Sequence, residues 1–163
     1  MSAAPFSVAI SLAAQRLDLF SGTELYRSWP VSTSKHGPGE VRDTFKTPRG
    51  RHVIRAKIGA GAPLGAVFRG RRPTGEIYSE ELARARPGSD WILTRILWLS
   101  GTEVGKNRHG DVDTMRRYIY IHGCPDSAEL GKPGSIGCVR MRNRDVAELF
   151  DRVPVYTPVE ITE

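Results

Sequence analysis

The sequence predicts a mainly β fold, a sandwich or open barrel with one amphipathic helix near its end. Three observations carry this. Apolar residues recur with a period of two in several short stretches, the signature of half-buried strands. Seventeen Gly and eleven Pro punctuate those stretches, which suits many short strands joined by turns better than a helical bundle. A sustained helical spacing of apolar residues occurs only after residue 142.

Phe6, Val8, Ile10 and Leu12 alternate with Ser7, Ala9, Ser11 and Ala13, and read as a first strand. Residues 17–20 give a second, with Ser21 and Gly22 as its exit turn, and residues 25–31 a third, so the chain opens as an antiparallel meander. Residues 32–50 are polar and rich in Gly and Pro. A loop this long in a compact protein is commonly functional, as a lid or a substrate wall. Alternation resumes over residues 51–58. Gly59, Gly61 and Pro63 follow as a tight connection, without the spacing or the helix of a nucleotide-binding loop. Ser79 is an N-cap for a short helix over residues 79–85, with Glu80 and Glu81 in its first turn.

Residues 91–99, the most apolar stretch, are hydrophobic on both faces apart from Thr94 and Arg95, which marks a central strand. A polar loop runs to Thr114, and residues 117–121 form a strand that delivers His122 at its end. Asn143 is placed as an N-cap. Val146, Leu149, Phe150 and Val153 then fall at i, i+3, i+4 and i+7 in an amphipathic helix stopped by Pro154. Residues 158–162 close as a last strand.

At 163 residues the chain is one domain's worth, residues 1–163, with no repeat or linker, and 39% hydrophobic content is enough for a core. No run approaches eighteen apolar residues, so no transmembrane segment is expected. The start, Met1-Ser2-Ala3-Ala4-Pro5, lacks a basic leader region and does not read as a secretory signal. The net charge of +6 raises a nucleic-acid partner, but the basic residues are scattered, with only Arg69-Gly70-Arg71-Arg72 and residues 140–144 forming clusters, and no aromatics interleave with them as a stacking platform; none is expected.

Chemistry concentrates in one stretch. His122 and Gly123 are followed, after eleven residues, by Ser135-Ile136-Gly137-Cys138-Val139-Arg140-Met141. A thiol becomes a nucleophile when a base or positive charge favours its thiolate, and such a cysteine is expected to ionise below the ordinary thiol range. Gly137 lets the chain turn sharply and a substrate approach, and the N–H groups of Gly137 and Cys138 can face an oxyanion. Read alone, a single cysteine such as Cys138 is more often a small buried hydrophobe, and His122 suits a strand-end imidazole on backbone.

The whole string, HG-x11-SxGCVRM with Asp145 on the helix behind it, resembles the catalytic signature of the YkuD-type L,D-transpeptidases. Val31-Ser32-Thr33-Ser34-Lys35 and Thr47-Pro48-Arg49-Gly50 resemble that family's upstream segments, so the likeness spans residues 7–162. It implies a cysteine enzyme acting on peptidoglycan stem peptides, with no metal and no organic cofactor. Cys138 would be the nucleophile, and His122 the general base or the imidazolium of an ion pair. A backbone carbonyl near Gly123 would orient the ring, with Asp126 as an alternative local partner. Ser135 would hold the loop by a local hydrogen bond. Arg140 would bind a substrate carboxylate or buttress the loop, and Tyr120, on the same strand face as His122, would line the groove or pack.

The implied reaction is acyl transfer from a tetrapeptide stem, releasing D-alanine and forming 3–3 cross-links, with carbapenems acylating the same thiol. L,D-carboxypeptidase activity at the same pair, or a silent wall-binding module, are the alternatives. The family implies the cell envelope, where a basic surface suits acidic peptidoglycan; without a visible leader the cytoplasm stays open, and so does the oligomeric state. The sequence departs from the family at Ile136, commonly polar, and at Cys124, commonly threonine. With two cysteines in the chain, a Cys124–Cys138 disulfide and a zinc site with His122 are the remaining readings.

Overall fold

A computed structural model describes residues 4–163; for residues 1–3, the reading of the N-terminus lies outside the described part. β1 (Phe6–Ser11), β2 (Arg16–Ser21) and β3 (Glu24–Pro30) form the expected antiparallel meander. The other edge of β1 is taken by β10 (Pro158–Thr162), parallel to it, with Val8 beside Val159 and Ile10 beside Ile161. β10 in turn pairs antiparallel with β4 (Gly50–Ile58).

β7 (Ile92–Gly101) is the hub. Trp98 pairs with Ala56 of β4 on one edge and with Tyr120 of β8 (Tyr120–Gly123) on the other. Leu93 pairs with both Val67 of β5 (Ala66–Arg69) and Gly123. A strand with partners on both edges and cover on both faces must be apolar throughout, which is what residues 91–99 announce. A bulge at Thr94, whose φ is 75°, separates the β4 and β5 pairings. β9 (Val139–Met141) runs parallel to β8.

The main core gathers Ile10, Leu17, Leu19, Ile54, Leu97, Ile121 and Met141 from the sheet against Val146, Leu149 and Phe150 of α2 (Asn143–Arg152). The apolar stripe of α2 is the expected one, but its cap is not. Arg142 occupies the N-cap position without a side-chain bond. Asn143 is the first helical residue, and its Oδ1 accepts from Thr94 Oγ1 at 2.6 Å, tying the helix to the bulge of β7. The short α1 (Glu80–Ala85) is capped by Ser79, whose Oγ accepts from Leu82 N–H at 3.0 Å.

Two further features differ from the sequence reading. The strand expected over residues 117–121 begins only at Tyr120. Asp113 turns the chain before it, its carboxylate accepting from the His109 and Arg116 N–H groups, and Tyr118 adopts a φ of 57°. His122 therefore lies inside β8 rather than at its end. The second is a hairpin of β5 and β6 (Arg72–Ile77) that the sequence conceals. Gly70 and Arg71, at φ 55° and 64°, form a two-residue turn between the paired Arg69 and Arg72, the mirror-image type that matches strand twist.

Candidate active site

The parallel register of β8 and β9 assembles the site. His122 lies beside Arg140 and Ile121 beside Val139, which sets Cys138, just before β9, next to Tyr120. Side chains alternate along strands, so Tyr120, His122, Cys138 and Arg140 share one face. The Cys138 thiol rests on backbone: Tyr120 N–H donates to Sγ at 3.2 Å, and Sγ donates to Tyr118 O at 3.3 Å.

The His122 ring is fully buried, with Nδ1 2.6 Å from Gly123 O. A carbonyl only accepts, so Nδ1 carries the proton and Nε2 the lone pair. Among the described residues Nε2 is one of three buried side-chain polar atoms without a hydrogen-bond partner. Burial lowers the imidazole below its ordinary value, against the opposing pull of Asp90 and of the Gly123 carbonyl. Asp126 plays no part in orienting the ring; it is exposed on the loop beyond β8. At Gly123 a Cβ would meet Asn143 Oδ1 at 2.3 Å and Leu93 O at 2.6 Å, so only glycine lets β8 lie this close to β7 and α2.

Segments far apart in sequence hold the loop before Cys138. Gly137, at φ 131°, presents its carbonyl to Thr47 Oγ1 at 2.9 Å. Ser135 Oγ donates to Cys138 O at 2.6 Å and accepts from Gly137 N–H at 3.2 Å. Ser135 Oγ thus bonds at both ends of the turn, and the Gly137 N–H, offered as an oxyanion donor, is engaged by it. Thr33 O accepts from the N–H groups of Gly134 and Ser135, and Ser135 O accepts from Lys35 N–H, so both upstream motif segments converge here. Arg140 is a buttress: its guanidinium donates to Gly134 O at 3.2 Å and to Asp90 at 2.9 Å. Arg117 does the same for residues 32–50, donating to the carbonyls of Gly39, Glu40 and Lys46.

Burial pushes the Cys138 thiol up to about 12, with the Tyr120 N–H only partly offsetting it. This reverses the expectation of a low-lying thiol: at rest the pair is a neutral thiol and a neutral imidazole. Cys124 is buried, its thiol donating to Met141 O at 3.2 Å, and burial holds it near 11. It lies four strand residues beyond the level of Cys138, roughly 13 Å at the rise of a β-strand. Both cysteines are free, and the disulfide and zinc readings, which need the sulfurs together, lose their basis.

Cys138 opens into a cleft of about 280 Å³ walled by Phe45, Arg71, Tyr118, Tyr120 and Ile136. A larger recess of about 540 Å³ between the N-terminal ends of α1 and α2 holds neither member of the pair. Asp90 and Arg117 were not singled out by the sequence, and Arg71 only as one of a cluster of charges, because each reaches the site from a separate segment. No helix among the described residues is long and apolar enough to cross a membrane.

Comparison with known proteins shows the family and the fold. The profile of the L,D-transpeptidase catalytic domain family, YkuD, matches residues 5–161. A Bacillus licheniformis protein that carries the name L,D-transpeptidase YkuD is 29% identical over 159 residues, covering 97% of this chain and 66% of its own length. An L,D-transpeptidase from Mycobacterium smegmatis superposes with a TM-score of 0.59 at 21% identity, covering 98% of this chain and 59% of that one. L,D-transpeptidase 3 from Mycobacterium tuberculosis, solved with a faropenem-derived adduct, gives 0.61 at 14% identity, covering 99% and 61%. The chain thus spans about three fifths to two thirds of the length of these relatives.

Proposed function

The chain belongs to the L,D-transpeptidase catalytic domain family, YkuD, and from that premise we propose that it is a cysteine-dependent acyltransferase acting on peptidoglycan stem peptides at the cell envelope, with residues 1–163 as one catalytic unit. The observation that carries this reading is the buried, partnerless Nε2 of His122 on the same strand face as the Cys138 thiol. Leaving a buried lone pair unpaired costs stability, on the order of 1–3 kcal/mol, and is readily understood if a proton is to arrive there.

The reaction begins from the neutral pair. As substrate enters, the Cys138 thiol turns from its backbone acceptor and gives its proton to Nε2 while sulfur attacks the carbonyl carbon of the third stem residue. The imidazolium formed is held by the Gly123 carbonyl, which does the orienting that a carboxylate does in other triads. Arg140 and Ser135 keep the loop in place during attack. The tetrahedral intermediate collapses, the amide nitrogen of the terminal D-alanine takes the proton from His122, and a thioester remains on Cys138. An amine from a neighbouring stem then attacks the thioester, giving a 3–3 cross-link and returning the thiol. Water in place of the amine would make the same site a carboxypeptidase.

Intact-mass measurement after incubation with a carbapenem tests the assignment. The parent and Cys124→Ala are expected to gain one adduct, and Cys138→Ala none. A parent that stays unmodified under reducing conditions would overturn the reading in favour of a silent wall-binding module. Turnover of a tetrapeptide with and without an amine acceptor separates cross-linking from hydrolysis.

A further inference from the structure

Two guanidinium groups, those of Arg71 and Arg117, line the Cys138 cleft, and Arg140 reaches Asp90 on its wall. Arg140 is engaged by Gly134 O and Asp90, and Arg117 by three carbonyls of residues 32–50. Arg71 differs. Its one hydrogen bond among the described residues runs from Nη1 to Tyr120 Oη at 3.1 Å, leaving Nη2 and Nε without a partner. The guanidinium is held over the ring of Tyr118 at 4.7 Å and over that of Trp98 at 5.2 Å. It is a fixed cation with free donors, on the wall of the cleft that contains the thiol.

The backbone beneath it is also unusual. Arg71 sits at φ 64° in the second position of its two-residue turn, where glycine is favoured. Phe45 at 59° and Tyr118 at 57°, two other walls of the same cleft, share that left-handed conformation. Side chains held against their backbone preference around one cavity mark a surface shaped for a ligand.

We propose that Arg71 is a substrate-binding residue that reads the free carboxylate of the departing terminal residue of the acyl donor. This rests on the acyltransferase reading above and names the residue that reads the end of the donor. Tyr120 supplies the ruler: its backbone N–H touches the Cys138 sulfur and its hydroxyl touches Arg71, so one tyrosine side chain spans thiol to guanidinium. In the donor, the terminal carboxylate lies one residue step, about 3.8 Å, beyond the scissile carbonyl. A carbonyl in contact with Cys138 therefore brings the carboxylate of the leaving residue toward Arg71, where a guanidinium fork with free donors recognises it. A stem extended by one more residue carries no charge at that position, so the site selects donors that end one residue after the scissile bond.

The test compares two donors, a tetrapeptide ending in a free carboxylate and its C-terminal amide, with the parent, Arg71→Gln and Arg71→Lys. The readout is the ratio of kcat/KM for acid over amide. The parent is expected to prefer the acid by roughly 10- to 100-fold, the scale of a hydrogen-bonded charge. In Arg71→Gln the ratio should collapse toward one, and Arg71→Lys should restore part of it. Alkylation of Cys138 by iodoacetamide in each variant reports whether the thiol environment has survived. A parent that turns over both donors equally, or an Arg71→Gln variant that keeps the full preference, overturns this inference and leaves the acyltransferase reading standing. A parent inert toward both donors brings down the two together.

Discussion

His122 and Cys138 divide their work by protonation state. Burial keeps the imidazole below its ordinary value and lifts the thiol to about 12, so near neutral pH the base is free and the nucleophile still holds its proton. Carbapenem acylation of the parent should therefore be nearly flat across neutral pH and fall only in acid, below the ordinary imidazole range. A His122→Asn variant should be slower by about 10²- to 10⁴-fold at pH 7, with a rate that climbs steadily into alkali as the thiol ionises unaided. Rapid-mixing mass spectrometry at several pH values checks both; a pH-independent rate in the variant would contradict the assignment. At this scale the cysteine and histidine were legible because they sit in a short motif. The carbonyl partner of His122 was available only through the family resemblance. Asp90 was not legible at all, because its bond to Arg140 bridges fifty positions.

Periodicity announced the elements that bury one stripe or one face. Val146, Leu149 and Phe150 of α2 are buried as their spacing requires, and β1, β2 and β10 follow their alternation, whereas in β4 a bulge after Ile54 breaks it and sends Ile54 and Ile58 into different clusters. Leu149→Ala should lower stability by about 2–5 kcal/mol, read as a drop in Tm, because α2 packs on both β7 and β8 and the cavity would open beside them. The β5–β6 hairpin escaped notice for a physical reason. Its turn carries Arg71 where a glycine would signal a reversal, and Arg69, Arg71 and Arg72 read instead as a patch of charge. Residues 32–50 were legible as a long loop, but what fixes them was not. Their carbonyls are gathered by Arg117, more than seventy positions later.

At the scale of the molecule, acid should weaken the fold before it reaches the carboxylates. His52 is buried between Gly50 O and Thr114 Oγ1, and burial holds it near 4. Its folded value is depressed, so its contribution is fully present above about pH 6.5 and is lost as pH falls toward 4, on the order of 3 kcal/mol in all. His122 acts in the same direction. Thermal melts between pH 7 and 4 should show Tm falling across this window, and His52→Asn, whatever its absolute Tm, should fall less steeply. The placement of β10 has a kinetic consequence. Among the described residues it alone pairs the β1–β2–β3 meander with β4 and the rest of the sheet, yet it follows all the other strands of that sheet in the chain. The meander can form early as local hairpins, but its free edge must wait for a segment some 150 residues downstream. Pairings of such long range slow folding. In a refolding experiment followed by hydrogen exchange, amides of β1 that face β10 should gain protection in the same late phase as those of β4 opposite Val159. During synthesis, the unpaired edge of β1 would be the surface on which a chaperone, or a second nascent chain, has time to act.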